Sequence, residues 1–114
     1  MADQVLPVVA LWERTLHDLL QRTRKFPRNL RYTLANRIDN LALDVYEGLV
    51  EARYTRDKLD ILRRVNLTIE KIRLLTRLSH DEGYLDRRGF EQVARNLDEA
   101  GRMVGGWIKE RQGR

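Results

Sequence analysis

The sequence predicts an all-α protein, namely an antiparallel up-down-up-down four-helix bundle that forms a homo-oligomer. Apolar residues recur at helical spacing in four segments, and no segment alternates apolar and polar residues as a half-buried strand does. Only 2 of the 114 residues are Pro and 7 are Gly. The connections between the segments are short, as they are between neighbouring antiparallel helices. A chain of this length has room for one hydrophobic core, so we expect residues 1–114 to form a single domain.

The first two helices are expected at about residues 5–24 and 30–53, with a bend at Phe26 because Pro27 disfavours helical geometry there. The apolar positions of the first helix are Val5, Val9, Trp12, Leu16, Leu19 and Leu20. The main stripe of the second helix is Leu34, Ile38, Leu41, Val45 and Leu49. A further apolar set lies roughly opposite, formed by Tyr32, Leu43, Tyr46 and Val50. A helix that only covers its own domain needs one apolar stripe, so this set predicts a subunit contact; scattered surface residues are the alternative.

The third helix, expected at about residues 57–79 with Thr55 as its N-cap, also has two apolar sides. The core stripe is Leu62, Val65, Ile69 and Ile72, and the nearly opposite stripe is Leu67, Leu74 and Leu78. We expect the second stripe to contact another subunit, because exposing it on a monomer would leave a large apolar patch. A polar strip that contains Arg63, Arg73 and Arg77 separates the two stripes.

The fourth helix is expected at about residues 87–111, with Asp86 as its N-cap. Its predicted core stripe is Phe90, Val93, Leu97, Val104 and Ile108. Gly101 and Gly105 each weaken the helix by about 1 kcal/mol, so a close approach by another helix is expected there. Basic residues recur every seven positions along one side, at Arg88, Arg95, Arg102 and Lys109. Glu91 and Asp98 precede two of them by four residues, which predicts a solvated, salt-bridged face.

The distribution of charge indicates which residues bind a partner. The net charge is +5, from 22 basic and 17 acidic residues, and residues 22–37 contain no acid. Arg73 and Arg77 repel each other across one helical turn beside Arg63, which indicates a role with an anion; Glu70 and Asp81 are the acids that could pair with them. Arg28 and Arg31 lie at a helix start, where the helix dipole disfavours cations. These five arginines are the predicted contacts to nucleic acid or to an acidic protein surface.

Catalytic and cofactor chemistry is not expected. The sequence has no Cys, and neither His17 nor His80 follows a Glu at the spacing of a di-iron site. No phosphate-binding loop or Ser–His–acid arrangement stands out, so we expect a non-enzymatic protein without cofactor or metal. No apolar run approaches the roughly 20 residues that span a bilayer, and the N-terminus lacks a signal-peptide pattern. A cytoplasmic protein that does not contact membranes is therefore predicted.

Three stretches resemble the Avd family, the accessory variability determinants of diversity-generating retroelements, within the wider group of S23-type four-helix bundles. They are KFPRNLRYTLANRID (25–39), EARYTRDKLDILRRVNLTIEKIRLLTRL (51–78) and GRMVGGWIK (101–109), and the resemblance covers about residues 5–110. It implies a pentameric barrel that binds the element's reverse transcriptase and its RNA or DNA and supports mutagenic reverse transcription. By position in the third-helix motif, Arg73 and Arg77 are the implied binding residues. The alternatives are an S23-type, RNA-associated bundle outside any retroelement, and a purely structural helical oligomer.

Overall fold

Four α-helices make up most of the protein in the computed structural model, which describes residues 2–113, with side chains from residue 7 onward. The helices are α1 (Ala2–Thr23), α2 (Asn36–Tyr54), α3 (Leu59–Asp81) and α4 (Arg87–Gln112). α1 and α3 each pack against both α2 and α4, so the four helices form a bundle around one shared core. Within residues 2–113 there is no strand, which confirms the all-α prediction.

The chain between α1 and α2 is helical but only partly α-helical. Residues Arg28–Leu30 form a 3₁₀ turn, and residues Arg31–Ala35 form a π-helical turn that leads directly into α2. Pro27 is extended, with a ψ of 144°, and begins this segment. The predicted second helix, from about residue 30, therefore starts with one tight turn and one wide turn. Apolar periodicity does not distinguish these turns from an α-helix, because each lasts for one turn only.

The predicted N-cap of α3 is wrong, whereas that of α4 is confirmed. Thr55 does not cap α3, because its hydroxyl donates to the main-chain oxygen of Glu51 at 2.7 Å, at the end of α2. α3 begins only at Leu59, without a side-chain cap. At α4, by contrast, a carboxylate oxygen of Asp86 accepts a hydrogen bond from the Gly89 amide at 2.7 Å. A hydroxyl near a helix boundary can hydrogen-bond the main chain of either the preceding or the following helix, and the Thr55 hydroxyl bonds the preceding one.

The core is built mostly from the predicted main stripes, but some predicted residues are only partly buried and some neighbouring residues are buried as well. Trp12 is fully buried, and its indole N–H donates to the main-chain oxygen of Ala42 at 2.8 Å, which ties α1 to α2. Leu34, Leu41, Phe90 and Ile108 were predicted in the core but are only partly buried. On α4, Val93, Leu97 and Val104 are buried as predicted, and Ala100 and Trp107 are buried beside them. Val5, predicted for the first stripe, lies outside the residues whose side chains are described.

Three glycines of α4, Gly101, Gly105 and Gly106, are not explained by packing within the chain, whereas a Cβ added to Gly89 would meet the guanidinium of Arg22 on α1. A Cβ added to Gly105 or Gly106 would have no atom within 4 Å, and one added to Gly101 would meet only the Asn66 amide oxygen at 4.0 Å. The close helix approach predicted there is therefore not made by this chain's own helices. The close approach occurs at Gly48 instead, where an added Cβ would lie 2.5 Å from a methyl carbon of Val65. α2 and α3 are in contact through that glycine.

Candidate nucleic-acid and partner surface

The polar strip of α3 lies at the surface, and its arginines differ in what they contact. Arg63 is exposed and lies 3.7 Å from a carboxylate oxygen of Asp60. Arg77 is also exposed, and its guanidinium has no ion pair or hydrogen bond to any residue in the range 7–113. The pairing of Arg77 with Asp81 that the sequence suggested is thus absent. Arg77 is available to bind an anion or an acidic group.

Arg73 is held by two carboxylates. Its Nε donates to Glu70 at 3.1 Å, as predicted, and one of its terminal nitrogens donates to Asp98 on α4. Burial works to lower the pKa of Arg73, but the hydrogen bonds and charges of Asp98 and Glu70 outweigh it, so its pKa is raised. Arg73 therefore links α3 to α4, and its charge is offset within the chain.

Arg28 and Arg31 lie at one end of the bundle, close to the end of α3. Both are exposed and lack an ion pair among the side chains that the structure describes. The rings of Phe26, in the α1–α2 bend, and Tyr84, in the α3–α4 turn, have centroids 6.0 Å apart, so the two connections lie at the same end. Arg77 is one turn before the last residue of α3, and it shares this end with Arg28 and Arg31. Arg63 is fourteen residues earlier, about 21 Å away along the helix.

α4 adds a row of cations that was predicted to be neutralised but is not. The row consists of Arg88, Arg95, Arg102 and Lys109, all exposed. Glu91 contacts Arg87 at 3.3 Å, and Asp98 contacts Arg73, so both predicted pairs with the row are wrong. Arg95 donates to the side chain of Gln92 at 3.0 Å, and the other three have no partner among residues 7–113. The seven-residue spacing was the signal in the sequence that could have identified this surface.

The second apolar side of α3 is exposed. Leu67, Leu74 and Leu78 have exposed fractions of 57%, 49% and 47%. Leu67 lines a groove between α3 and α4 that also contains Gly101. Three half-exposed leucines along one side of a helix are unusual on a monomeric protein surface. This side of α3 is thus available to another protein or subunit.

The second apolar set of α2 is exposed only in part. Leu43 and Val50 are exposed, and Tyr32, which precedes α2 in the π-helical turn, is 82% exposed. Tyr46 is partly buried, and its hydroxyl donates to a carboxylate oxygen of Glu13 on α1 at 2.6 Å. That hydrogen bond and the charge of Glu13 raise the pKa of the Tyr46 hydroxyl. Of the predicted subunit contacts, Tyr46 is therefore the one most engaged within its own chain.

His80 contributes to local structure and not to a metal-binding cluster among the described side chains. In the part of the chain with described side chains, no three His, Asp or Glu side chains come together as metal ligands would. The His80 Nδ1 lies 2.9 Å from the main-chain oxygen of Leu85, and its ring stacks on Phe90 with centroids 4.6 Å apart. Across residues 2–113, no helix has the length and apolar character needed to cross a membrane. The surface offers cations and apolar side chains, which suit binding.

Comparison with known proteins identifies the family. No curated protein matches this chain. The family described as bAvd-like matches residues 8–111, which takes in all of α2 and α3, most of α1 and α4, and the exposed cations of α3 and α4. A match of this extent covers nearly the whole chain. The chain belongs to the bAvd-like family.

Proposed function

We propose that this protein is a non-enzymatic accessory protein of a diversity-generating retroelement. It binds the element's reverse transcriptase together with the template RNA or its cDNA, and it supports mutagenic reverse transcription in the cytoplasm. The observation that carries this proposal is the bAvd-like family match over residues 8–111. The exposed cations on α3, on α4 and at the α1–α2 bend support it, because sequence-independent binding of nucleic acid depends on contacts from Lys and Arg to phosphates.

The binding surface is proposed to combine the free arginines with the row on α4. Arg77 has no ion pair among residues 7–113, and Arg102 lies on α4 one turn beyond Asp98, which contacts α3. The exposed side of α4 therefore adjoins the polar strip of α3 through the Arg73–Asp98 contact. Arg28 and Arg31 extend the positive surface around one end of the bundle. Arg73 contributes mainly by holding α3 and α4 together.

We further propose that the helices run antiparallel in up-down-up-down order and that the bundles assemble into a closed ring or barrel of five subunits. The exposed leucines on α3, with Leu43 and Val50 on α2, supply the apolar contacts. A Cβ added to Gly105 or Gly106 would meet no atom of another helix of the chain within 4 Å, which leaves room for a helix of another subunit. Sedimentation equilibrium should give about five times the mass of the chain, and Leu67→Glu/Leu74→Glu should give a helical monomer. A monomeric wild type at tens of micromolar would contradict the assembly.

Capture of the reverse transcriptase tests the partner. The tagged chain should retain the reverse transcriptase encoded in the same element, and the single variants Arg63→Ala and Arg77→Ala should each weaken this capture while keeping their helical spectrum. Arg14→Ala is the matched control, because Arg14 is an exposed and unpaired arginine on α1 that is not among the proposed contacts. Capture that is absent for the wild type would refute the proposed partner. Equal loss in the Arg14 variant would show that only net charge matters.

A further inference from the structure

A cleft of about 330 Å³ lies where the end of α1 meets the start of α2. Its floor is apolar, and its rim is polar and basic. The floor is formed by Leu20, Phe26 and Ala35, and the rim and walls by Thr23, Arg24, Arg31, Tyr32, Asn36 and Asp39. An apolar floor with a few convergent polar groups is the usual form of a site for a small planar ligand.

Tyr32 lies at the rim of this cleft and has no hydrogen bond or ring contact with the described side chains. Among the four tyrosines, Tyr46 bonds Glu13, Tyr84 packs on Phe26, and Tyr54 lies beside Arg53. The Tyr32 ring is 82% exposed and has no hydrogen bond or ring contact with any described side chain. Its face is therefore open to a flat partner.

The main chain holds the rim in an unusual but ordered conformation. Arg31 and Tyr32 are the first two residues of the π-helical turn, and Ala35, its last residue, forms part of the floor. Single π-helical turns next to α-helices are rare and occur frequently at functional sites. The turn places a cation and an aromatic ring side by side on helical backbone, rather than on a loose loop.

The cleft contains both cations and a carboxylate, which suit a ligand with both anionic groups and hydrogen-bond donors. Arg24 and Arg31 are exposed and form no ion pair among the described residues. Asp39 also lines the cleft and is partly buried, and one of its carboxylate oxygens accepts a hydrogen bond from the Thr23 hydroxyl at 2.6 Å. Burial raises the pKa of Asp39, although Thr23 and Arg24 act in the other direction. The second carboxylate oxygen remains open to accept a hydrogen bond.

We propose that this cleft binds one unpaired nucleotide of single-stranded nucleic acid. The base stacks on Tyr32 above the apolar floor, its exocyclic amino group donates to Asp39, and the flanking phosphates contact Arg24 and Arg31. Aromatic side chains accept any unpaired base in this way, whereas a base inside a duplex is already stacked on both faces. The site therefore favours single strands over duplexes, and bases with an amino group over uracil. This inference rests on the proposed nucleic-acid binding and adds its strand and base preference.

Substitution of Tyr32 tests the stacking contact. Fluorescence anisotropy at one fixed salt concentration would compare an adenine-rich single strand of RNA with a duplex of equal length. Tyr32→Ala should weaken single-strand binding roughly 5- to 100-fold and leave duplex binding unchanged, whereas Tyr32→Phe should keep both. Tyr54→Ala is the matched control, because Tyr54 is 77% exposed and also adjoins an arginine; it should change neither.

Asp39 supplies an independent readout. Asp39→Ala should abolish the preference for an adenine-rich over a uracil-rich strand, because the acceptor for the amino group is gone. Unchanged single-strand binding by Tyr32→Ala, or an equal loss on strand and duplex, would overturn the proposed site. A change of oligomeric state in Tyr32→Ala would also overturn it and make Tyr32 a subunit contact instead. A wild type that binds no nucleic acid at all would refute the proposed function itself. A wild type that binds nucleic acid, together with a Tyr32→Ala variant that binds single strands equally well, would refute only the proposed nucleotide site.

Discussion

Replacing Arg73 and Arg77 one at a time should separate a residue that joins helices from a residue that binds a partner. Arg73→Ala removes hydrogen bonds to Glu70 and to Asp98 on α4. Both carboxylates are more than half exposed, with side-chain exposures of 55% and 56%, so the loss is about 1 kcal/mol at most. For a chain of this size, that corresponds to a melting temperature lower by roughly 4 °C.

Arg77→Ala should have the opposite profile. It breaks no contact to residues 7–113 and removes the repulsion from Arg73 one turn away, which is worth a few tenths of a kcal/mol. The melting temperature should therefore stay the same or rise slightly. RNA affinity should fall, and the slope of log affinity against log salt should decrease by about 1 for each phosphate that the variant no longer neutralises. Thermal melting by circular dichroism beside RNA titrations at several salt concentrations measures both effects.

Asp98→Ala is the matched control for this pair of variants. It removes the contact of Arg73 to α4 from the other side, so it should melt early as Arg73→Ala does. It adds net positive charge, so RNA affinity should be kept or increased. An Arg77→Ala protein that melts early, or one that binds RNA with unchanged affinity and salt dependence, would refute the assignment of Arg77 to the binding surface.

Three further substitutions test the fold and the cleft. Trp12→Phe should lower the free energy of unfolding measured with urea by about 2–4 kcal/mol, because it leaves a void in the core and removes the hydrogen bond to Ala42. A loss below about 0.5 kcal/mol would contradict the buried contact. Gly48→Ala should destabilise the fold by about 1–3 kcal/mol despite the better helix propensity of Ala, because its Cβ would lie 2.5 Å from Val65. Adding Val65→Ala in the same chain should relieve the clash. Independent, additive effects of the two substitutions would argue against the clash. Asp39→Asn should melt above the wild type at neutral pH and lose that advantage below about pH 4. Burial raises the pKa of Asp39 above its unfolded value of 3.8, so ionisation of the carboxyl costs stability as pH rises. A difference in melting temperature that does not vary with pH would contradict this.

The helices could be predicted from the sequence, because the spacing of apolar residues within each segment indicates a helix without information from the rest of the chain. The N-cap at Asp86 was predictable for the same reason, since a cap involves residues three positions apart. Thr55 was not, because its hydroxyl could serve either of two helices and the sequence contains both possibilities. The π-helical turn before α2 leaves no signature in apolar spacing.

The candidate surface was harder to predict, because it depends on contacts between helices. Asp98 was expected to pair with Arg102 on its own helix, but it contacts Arg73 on α3 instead. That contact depends on how α3 and α4 are rotated relative to each other, which spacing within one helix does not determine. It occupies one predicted binding residue, Arg73, and leaves Arg102 on α4 without its expected partner. The exposure of Leu67, Leu74 and Leu78 was predictable, because two apolar stripes on one helix cannot both face the same core.

Reverse transcription with purified components tests the proposed function most directly. The reverse transcriptase of the same element would copy its template RNA with and without this protein, and the cDNA products would be sequenced. The proposed function predicts cDNA with substitutions concentrated at template adenines only when the protein is present. Equal cDNA yield and equal adenine substitution in its absence would contradict the proposed function.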